Sequence, residues 1–331
     1  MGVLTVNPTL DIIIPHYTEP WEVGEKLFSI LALQRGIDFS SFRVLVVNDG
    51  EENRLPDACF SGLPYQVEQI SIPHKGVSAA RNAGIDHATA PWLMFCDFDD
   101  TFAHVYALRD ILSVLPADGY DMLHSRMIVE DRTDGKDLLT FSPESQRFVF
   151  THGKLYRKAF LDEQGIRFDE TMRFQEDSLF NATIIARTSH TRIGEIKSVS
   201  PLYVWIRRPS SVTNSGRDDE AMFSHFIRNL KATEENRKNR GYDCYCGMVT
   251  RTVWDAYYML NCKPGSQEVK RKILGMFVPW IRARREAFGQ VNDETLAQII
   301  AVARTELCES PILDSKTIVT KWLDDILKGG E

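Results

Sequence analysis

Three short runs in the first hundred residues are apolar almost throughout rather than at alternate positions. They are Leu10-Asp11-Ile12-Ile13-Ile14, Phe42 to Asn48, and Pro91-Trp92-Leu93-Met94-Phe95. Strands of that composition are buried on both faces, as in a parallel sheet covered by helices on each side. Helical periodicity separates them: Trp21 to Gln34 carries Val23, Leu27, Ile30 and Leu31 on one face, and Val77 to Ala88 reads as a second helix. Tyr65 to Ile72 alternates like an edge strand. The resulting β-α-β-β-α-β order predicts an α/β fold with a mostly parallel, doubly wound sheet. Pro15 should stop the first strand, and Asn48-Asp49-Gly50 should turn the chain after the second.

From about Asp218 the pattern becomes helical only. Helices are expected over Asp219 to Lys238, Tyr245 to Asn261, Gln267 to Phe288, Asp293 to Cys308 and Ser315 to Lys328, with Pro279 kinking or splitting the third. The expected division is therefore residues 1–215 and residues 216–331, the boundary falling near Asn214-Ser215-Gly216. A chain of 331 residues has ample core for both. A net charge of −7 argues against a nucleic-acid binder that relies on phosphate neutralisation. The cysteines Cys59, Cys96, Cys244, Cys246, Cys262 and Cys308 match neither a disulfide framework nor a common zinc spacing, and read as reduced thiols. Met1 to Thr9 has no secretory leader pattern and no run is long enough to span a membrane, so a cytoplasmic protein is expected.

Open α/β sheets bind ligands at the carboxyl ends of their strands. Tyr17, Asp49 and Asp97 each fall just past such an end. The third strand leads into Cys96-Asp97-Phe98-Asp99-Asp100, whose three carboxylates would repel one another unless a cation sat among them. Mn²⁺ or Mg²⁺ carrying a phosphorylated ligand suits such oxygen donors. A solvated turn or a helix N-cap would use the same residues, and Asp100 in particular reads as the cap of a following helix.

These segments, taken in order, resemble a known family. Ile13-Ile14-Pro15-His16-Tyr17, Val47-Asn48-Asp49-Gly50, Gly76-Val77-Ser78-Ala79-Ala80-Arg81-Asn82-Ala83-Gly84 and Asp97-Phe98-Asp99-Asp100 look like the family 2 inverting glycosyltransferases of GT-A fold. Gly153-Lys154-Leu155-Tyr156-Arg157, Gly165-Ile166-Arg167-Phe168 and Gln175-Glu176-Asp177-Ser178-Leu179-Phe180-Asn181 agree, and the likeness covers roughly residues 10 to 213. It implies a nucleotide-sugar donor, expected to be a UDP-sugar, with its base near Pro15, Tyr17 and Asp49. His74 stands where the family often has an asparagine touching that base. Arg81 and Asp97 would complete the donor site, and Asp97 and Asp99 would hold the metal. Asp177 would be the general base and Glu176 would orient its loop. Tyr203 to Ser211 resembles a later family segment in which Arg208 and Ser211 match and would contact the diphosphate, whereas Ile206 stands where an arginine is expected.

The reading is therefore a metal-dependent inverting glycosyltransferase acting on a carbohydrate or other hydroxyl acceptor, with Mn²⁺ or Mg²⁺ as cofactor. A nucleotidyltransferase is the rival within enzymes, although Pro15 to Gly24 lacks a Gly-rich phosphate loop. A non-catalytic sugar-nucleotide-binding or scaffolding module is the other. The helical region is expected to select the acceptor or to join a homodimer. Its arginines Arg282, Arg284 and Arg285 read first as a solvated face, and otherwise as a contact with anionic lipid at the inner face of a membrane or with a phosphate-bearing acceptor.

Overall fold

A computed structural model describes residues 8–115, 118–132, 138–141, 149–208, 218–307 and 316–328. The chain divides into two compact units, Met1–Ser215 and Gly216–Glu331. The first contains β1 (Leu10–His16), α1 (Trp21–Ala32), β2 (Phe42–Asp49), β3 (Gln66–Ile72), α2 (Val77–His87), β4 (Trp92–Phe95), β5 (Thr101–Phe102) and α3 (Ala107–Ser113). It continues with β6 (Met122–His124), β7 (Met127–Asp131), β8 (Leu138–Phe141), β9 (Lys154–Arg157), α4 (Lys158–Glu163), α5 (Glu176–Arg187), β10 (Ile193–Glu195) and β11 (Tyr203–Arg207).

The apolar runs are buried for the expected reason. Seven strands form one sheet in the order β10-β6-β9-β4-β1-β2-β3, and β3 lies at its edge as expected. β1 pairs in parallel with both β2 and β4, while β9 runs antiparallel between β4 and β6. Ile12 and Ile14 pack on one face with Leu27, Phe28 and Leu31 of α1 and Leu108 and Ile111 of α3. Ile13, on the other face, packs with Leu45, Val47, Ala80, Ile85, Phe160 and Phe180. Neither face meets water, so neither needs polar residues.

Pro15 does not end β1, which runs on to His16. β4 pairs with β1 only as far as Ile13, so the proline, which has no N–H to donate, falls where β1 keeps β2 as its sole neighbour. A second, four-stranded sheet, β5-β11-β7-β8, was not expected. Its strands are short and of mixed polarity, and β5 has only two residues, so periodicity did not reveal them.

The second unit consists of α6 (Asp218–Asn239), α7 (Tyr242–Asn261), α8 (Gln267–Arg282), α9 (Asp293–Leu307) and α10 (Lys316–Lys328). α7 packs against α6, α8 and α9, which accounts for the apolar residues on several of its faces. Trp254 and Tyr258 are buried there with Phe226 and Phe277. The Ser266 hydroxyl caps α8 by accepting from the Val269 N–H at 3.2 Å. α8 passes through Pro279 and ends at Arg282, a 3-10 turn over Arg285–Ala287 taking the place of the expected longer helix. Cys59, Cys96, Cys244, Cys246 and Cys262 form no disulfide. Among the described residues no helix is long and apolar enough to cross a membrane.

The small residues of α2 let it approach the sheet closely. A Cβ on Gly84 would lie 2.4 Å from Cγ2 of Ile13, a buried and rotationally stiff side chain. Alanine in a helix interior normally gains up to about 1 kcal/mol over glycine. At this position overpacking should win, and Gly84→Ala should lose about 1–3 kcal/mol net in urea-induced unfolding.

Candidate active site

The parallel strands β1, β2 and β4 all end at one edge of the large sheet, delivering His16, Asp49 and the segment Cys96 to Asp100 there. β9 runs the other way, so its beginning reaches the same edge. Its register pairs Met94 with Leu155, and continuing that register places His152 opposite Asp97. α5 contributes Glu176 and Asp177 from its first turn. The residue before it, Gln175, has φ 64° and is the one described non-glycine residue in the left-handed region, a strained conformation of the kind concentrated at functional sites.

Arg81 lies at the centre of the acids. The residue is 4% exposed, and its guanidinium donates to Asp97 Oδ1 at 3.0 Å and to Glu176 Oε1 at 3.0 Å, while Nε has no protein partner. It therefore ties the β4 loop to the start of α5. His152 Nε2 is 3.1 Å from Asp97 Oδ2 and 3.5 Å from Asp100 Oδ2. The imidazole is held flat between aromatic neighbours, stacked on Tyr203 and Trp205 at centroid separations of 5.5 and 5.3 Å.

The three aspartates of the acidic segment divide by environment. Burial would raise the Asp97 pKa, but Arg81 and His152 outweigh it and hold this carboxyl well below the usual range. Asp99 is shifted upward by burial and by the charge of Asp97, against the opposing pull of its ion pair with Arg208. Asp100 does not cap a helix. β5 follows it directly, and its buried carboxylate instead accepts from the Tyr203 hydroxyl at 2.6 Å and the Ile206 N–H at 2.8 Å. Burial and the neighbouring Asp97 and Asp99 push its pKa far up. Asp100 thus fastens the acidic segment to β11 of the second sheet.

Asp177 has its pKa raised to about 7, first by burial and then by the adjacent Glu176 charge, with Arg81 opposing. Its Oδ1 accepts from the Ser178 N–H at 2.7 Å. Lys154, buried on β9 with its ammonium 3.3 Å from the His152 carbonyl, is lowered to about 7 by burial, with the Asp177 charge opposing. A carboxyl and an amine that both titrate near 7 suit proton transfer.

Asp49 and His74 form a separate group. The Asp49 carboxylate accepts from the Lys75 N–H at 2.7 Å and the Gly76 N–H at 2.9 Å, and lies 2.8 Å from His74 Nδ1. Asp49 therefore fastens the turn that leads into α2, a helix with no side-chain cap. The His74 ring stacks on the exposed Tyr17 ring at 4.5 Å and 17°, making a flat apolar surface beside a carboxylate. Pro15 sits one strand over, aligned with Val47.

Among the sequence-predicted residues, the structure thus brings together Arg81, Asp97 and Glu176, then Tyr17, Asp49 and His74, and pairs Asp99 with Arg208. Ser211 lies outside the described residues. Among the described residues, the acidic group whose ligand atoms come within 4.8 Å of one another is Asp97, Asp100 and His152, and Asp99 is not in it. His152 was missed from sequence, although the antiparallel placement of Gly153 to Arg157 would have found it. The donor set of two carboxylates and an imidazole fits a divalent ion.

Asp100 makes a structural prediction. Asp100→Ala would leave the Tyr203 hydroxyl and the Ile206 N–H buried without an acceptor, at about 1–3 kcal/mol for each such group. Chemical denaturation should show that loss, and Asp100→Asn, which keeps an acceptor for Ile206, should recover much of it.

Residues 11–174 match the family model Glycosyl transferase family 2. The glycosyltransferase EpsJ of Bacillus subtilis is 24% identical over 62% of this chain and 63% of its own length. The succinoglycan biosynthesis protein ExoO of Rhizobium meliloti is 26% identical over 54% of this chain and 56% of its own. The chain thus spans less than two thirds of these relatives. Among solved structures, residues 1–349 of Staphylococcus aureus TarS in complex with UDP superimpose with a TM-score of 0.64 at 16% identity, covering 98% of this chain and 92% of that one. The Pyrobaculum calidifontis mannosyltransferase PcManGT, in complex with GDP-Man and Mn²⁺, gives 0.50 at 12% identity over 91% and 87%. With the motif order, the sheet topology and these likenesses in agreement, residues 11–174 form a glycosyl transferase family 2 domain, and the chain has the GT-A fold.

Proposed function

We propose that the protein transfers a sugar from a UDP-sugar to an acceptor hydroxyl with inversion at the anomeric carbon. The observation that carries this reading is the site around Arg81: an acidic group suited to a divalent ion on one side and, on the other, a carboxyl with a pKa of about 7. Asp177 is the general base. It takes the proton from the acceptor hydroxyl as the oxygen attacks the anomeric carbon in line with the departing diphosphate, so one displacement inverts the centre and no covalent intermediate forms. Glu176, held by Arg81, keeps the Asp177 loop in place. Tyr17, Asp49 and His74 receive the base, next to Pro15.

Asp97, Asp100 and His152 would hold Mn²⁺ or Mg²⁺, with Asp99 joining them when Arg208 turns to the diphosphate. The ion would supply Lewis-acid stabilisation of the leaving nucleotide. Ser211 would also contact the diphosphate. TarS with UDP and PcManGT with GDP-Man and Mn²⁺ support such a donor site by likeness of fold. The helical unit would select the acceptor. A non-catalytic module or a nucleotidyltransferase gains no comparable support, because neither calls for a carboxyl tuned to act as a base near neutrality.

Asp177→Asn keeps the shape and removes the base, so turnover should fall about 10²–10⁴-fold while UDP affinity stays put. In the unaltered protein the base must be deprotonated to work. The rate constant kcat/KM should therefore rise with pH through about 7 and level off above it, and a flat profile from pH 5 to 9 would remove Asp177 from the role. For the metal, calorimetry of UDP binding should show affinity that collapses in EDTA and returns with Mn²⁺. His152→Ala should blunt that dependence, and EDTA-insensitive binding by the unaltered protein would end the metal proposal.

A further inference from the structure

The arginines after Trp280 do not act as one cationic run. Arg284 is paired with Glu234 at 2.5 Å and Arg285 with Asp324 at 3.0 Å. Arg282 instead lines an open groove between α8 and α10, together with Arg271 and Lys321. None of these three forms an ion pair among the described residues. Arg282 donates to the Leu327 carbonyl and Arg271 to that of Gln267. One acid, Asp325, shares the groove.

The groove encloses about 1100 Å³, and its floor is apolar, made by Leu274, Val278, Ile318, Trp322 and Ile326. Gly275 widens it, since a Cβ there would meet no atom within 4 Å. In a chain of net charge −7, three cations against one acid around an apolar trough are a local reversal of sign. An occupant that satisfies both features has a hydrocarbon chain and an anionic head. Long cationic side chains beside a tryptophan at an apolar boundary are also the arrangement of helices that lie at a membrane interface.

We propose that this groove takes up an acyl chain of an anionic phospholipid, with Arg271, Arg282 and Lys321 around its phosphate, and that the helical unit thereby seats on a negatively charged bilayer. The groove shares no residue with the donor site, and the proposal does not depend on the identity of the sugar. Each cation near an anionic surface contributes about five-fold in partitioning, the equivalent of roughly 1 kcal/mol.

The test uses the full chain with vesicles of phosphatidylcholine alone and of phosphatidylcholine with phosphatidylglycerol. Sedimentation should occur with the second set only and should weaken with salt. The Trp322 emission should shift to the blue and be quenched by brominated acyl chains, a change missing in Trp322→Phe. Inorganic phosphate alone should leave the emission unchanged. Arg271→Glu combined with Lys321→Glu should lower vesicle affinity by more than about 25-fold, two cations at five-fold each. A Cβ at Gly275 meets no neighbour and glycine is the poorer helix former, so Gly275→Phe should fill the groove without lowering the unfolding temperature while vesicle binding is lost. Equal sedimentation with both vesicle sets, or undiminished binding by Gly275→Phe, would overturn the proposal. So would a wild-type dimer that Gly275→Phe turns into a monomer without any vesicle binding, which would assign the groove to a second copy.

Discussion

The geometry of the site rests on one buried guanidinium. Arg81 projects from α2 between Asp97 and Glu176, two acids that come from distant parts of the chain. Without a cation there, Asp97 would keep only His152 as a positive neighbour and Glu176 would lose its ion pair, beside the carboxyls of Asp99, Asp100 and Asp177. Removing one partner of such a buried pair typically costs 3–5 kcal/mol, because a charge is stranded away from water. The same contact divides the labour electrostatically. Asp97 is held ionised by Arg81 and His152, while Asp177, whose burial and neighbouring Glu176 outweigh Arg81, is left near neutrality.

The second sheet is what makes that arrangement rigid. Tyr203 of β11 donates to Asp100, accepts from the Asp97 N–H at 3.3 Å, and presents its ring to His152. A single tyrosine thus fixes the loop, one of its acids and the imidazole opposite. The strain at Gln175 belongs to the same scheme, since it aims the first turn of α5, and with it Glu176 and Asp177, at the loop.

Much of the large sheet could be read from the chain. The runs through Ile12, Val44 and Leu93 are apolar on both faces, and only a covered parallel sheet explains that pattern. The carboxyl ends of β1, β2 and β4 then had to converge, which is why Tyr17, Asp49 and Asp97 could be placed at that edge. The role of Asp100 was misread because Asp-Asp-Thr looks like a helix cap whenever the strand beyond it has only two residues. His152 was overlooked because its partner, Asp97, is distant in sequence and meets it only through the antiparallel register of β9. The positions of Arg81 between its acids and of Arg208 beside Asp99 were equally invisible, since a side chain's charge partner is not encoded in local periodicity.

Sequence alone determined the fold class, the helical character of the second unit, and the inventory of acids at the strand ends, because these follow from period, turn chemistry and residue type. Tertiary structure decided which acid is ionised, which is buried, and which faces a cation. It also decided that Arg284 and Arg285 are neutralised while Arg282 is not. The physical reason is the same in each case. A carboxylate or a guanidinium takes its energy from burial and from the charges within a few ångströms, and those neighbours are supplied by chain segments far away in sequence.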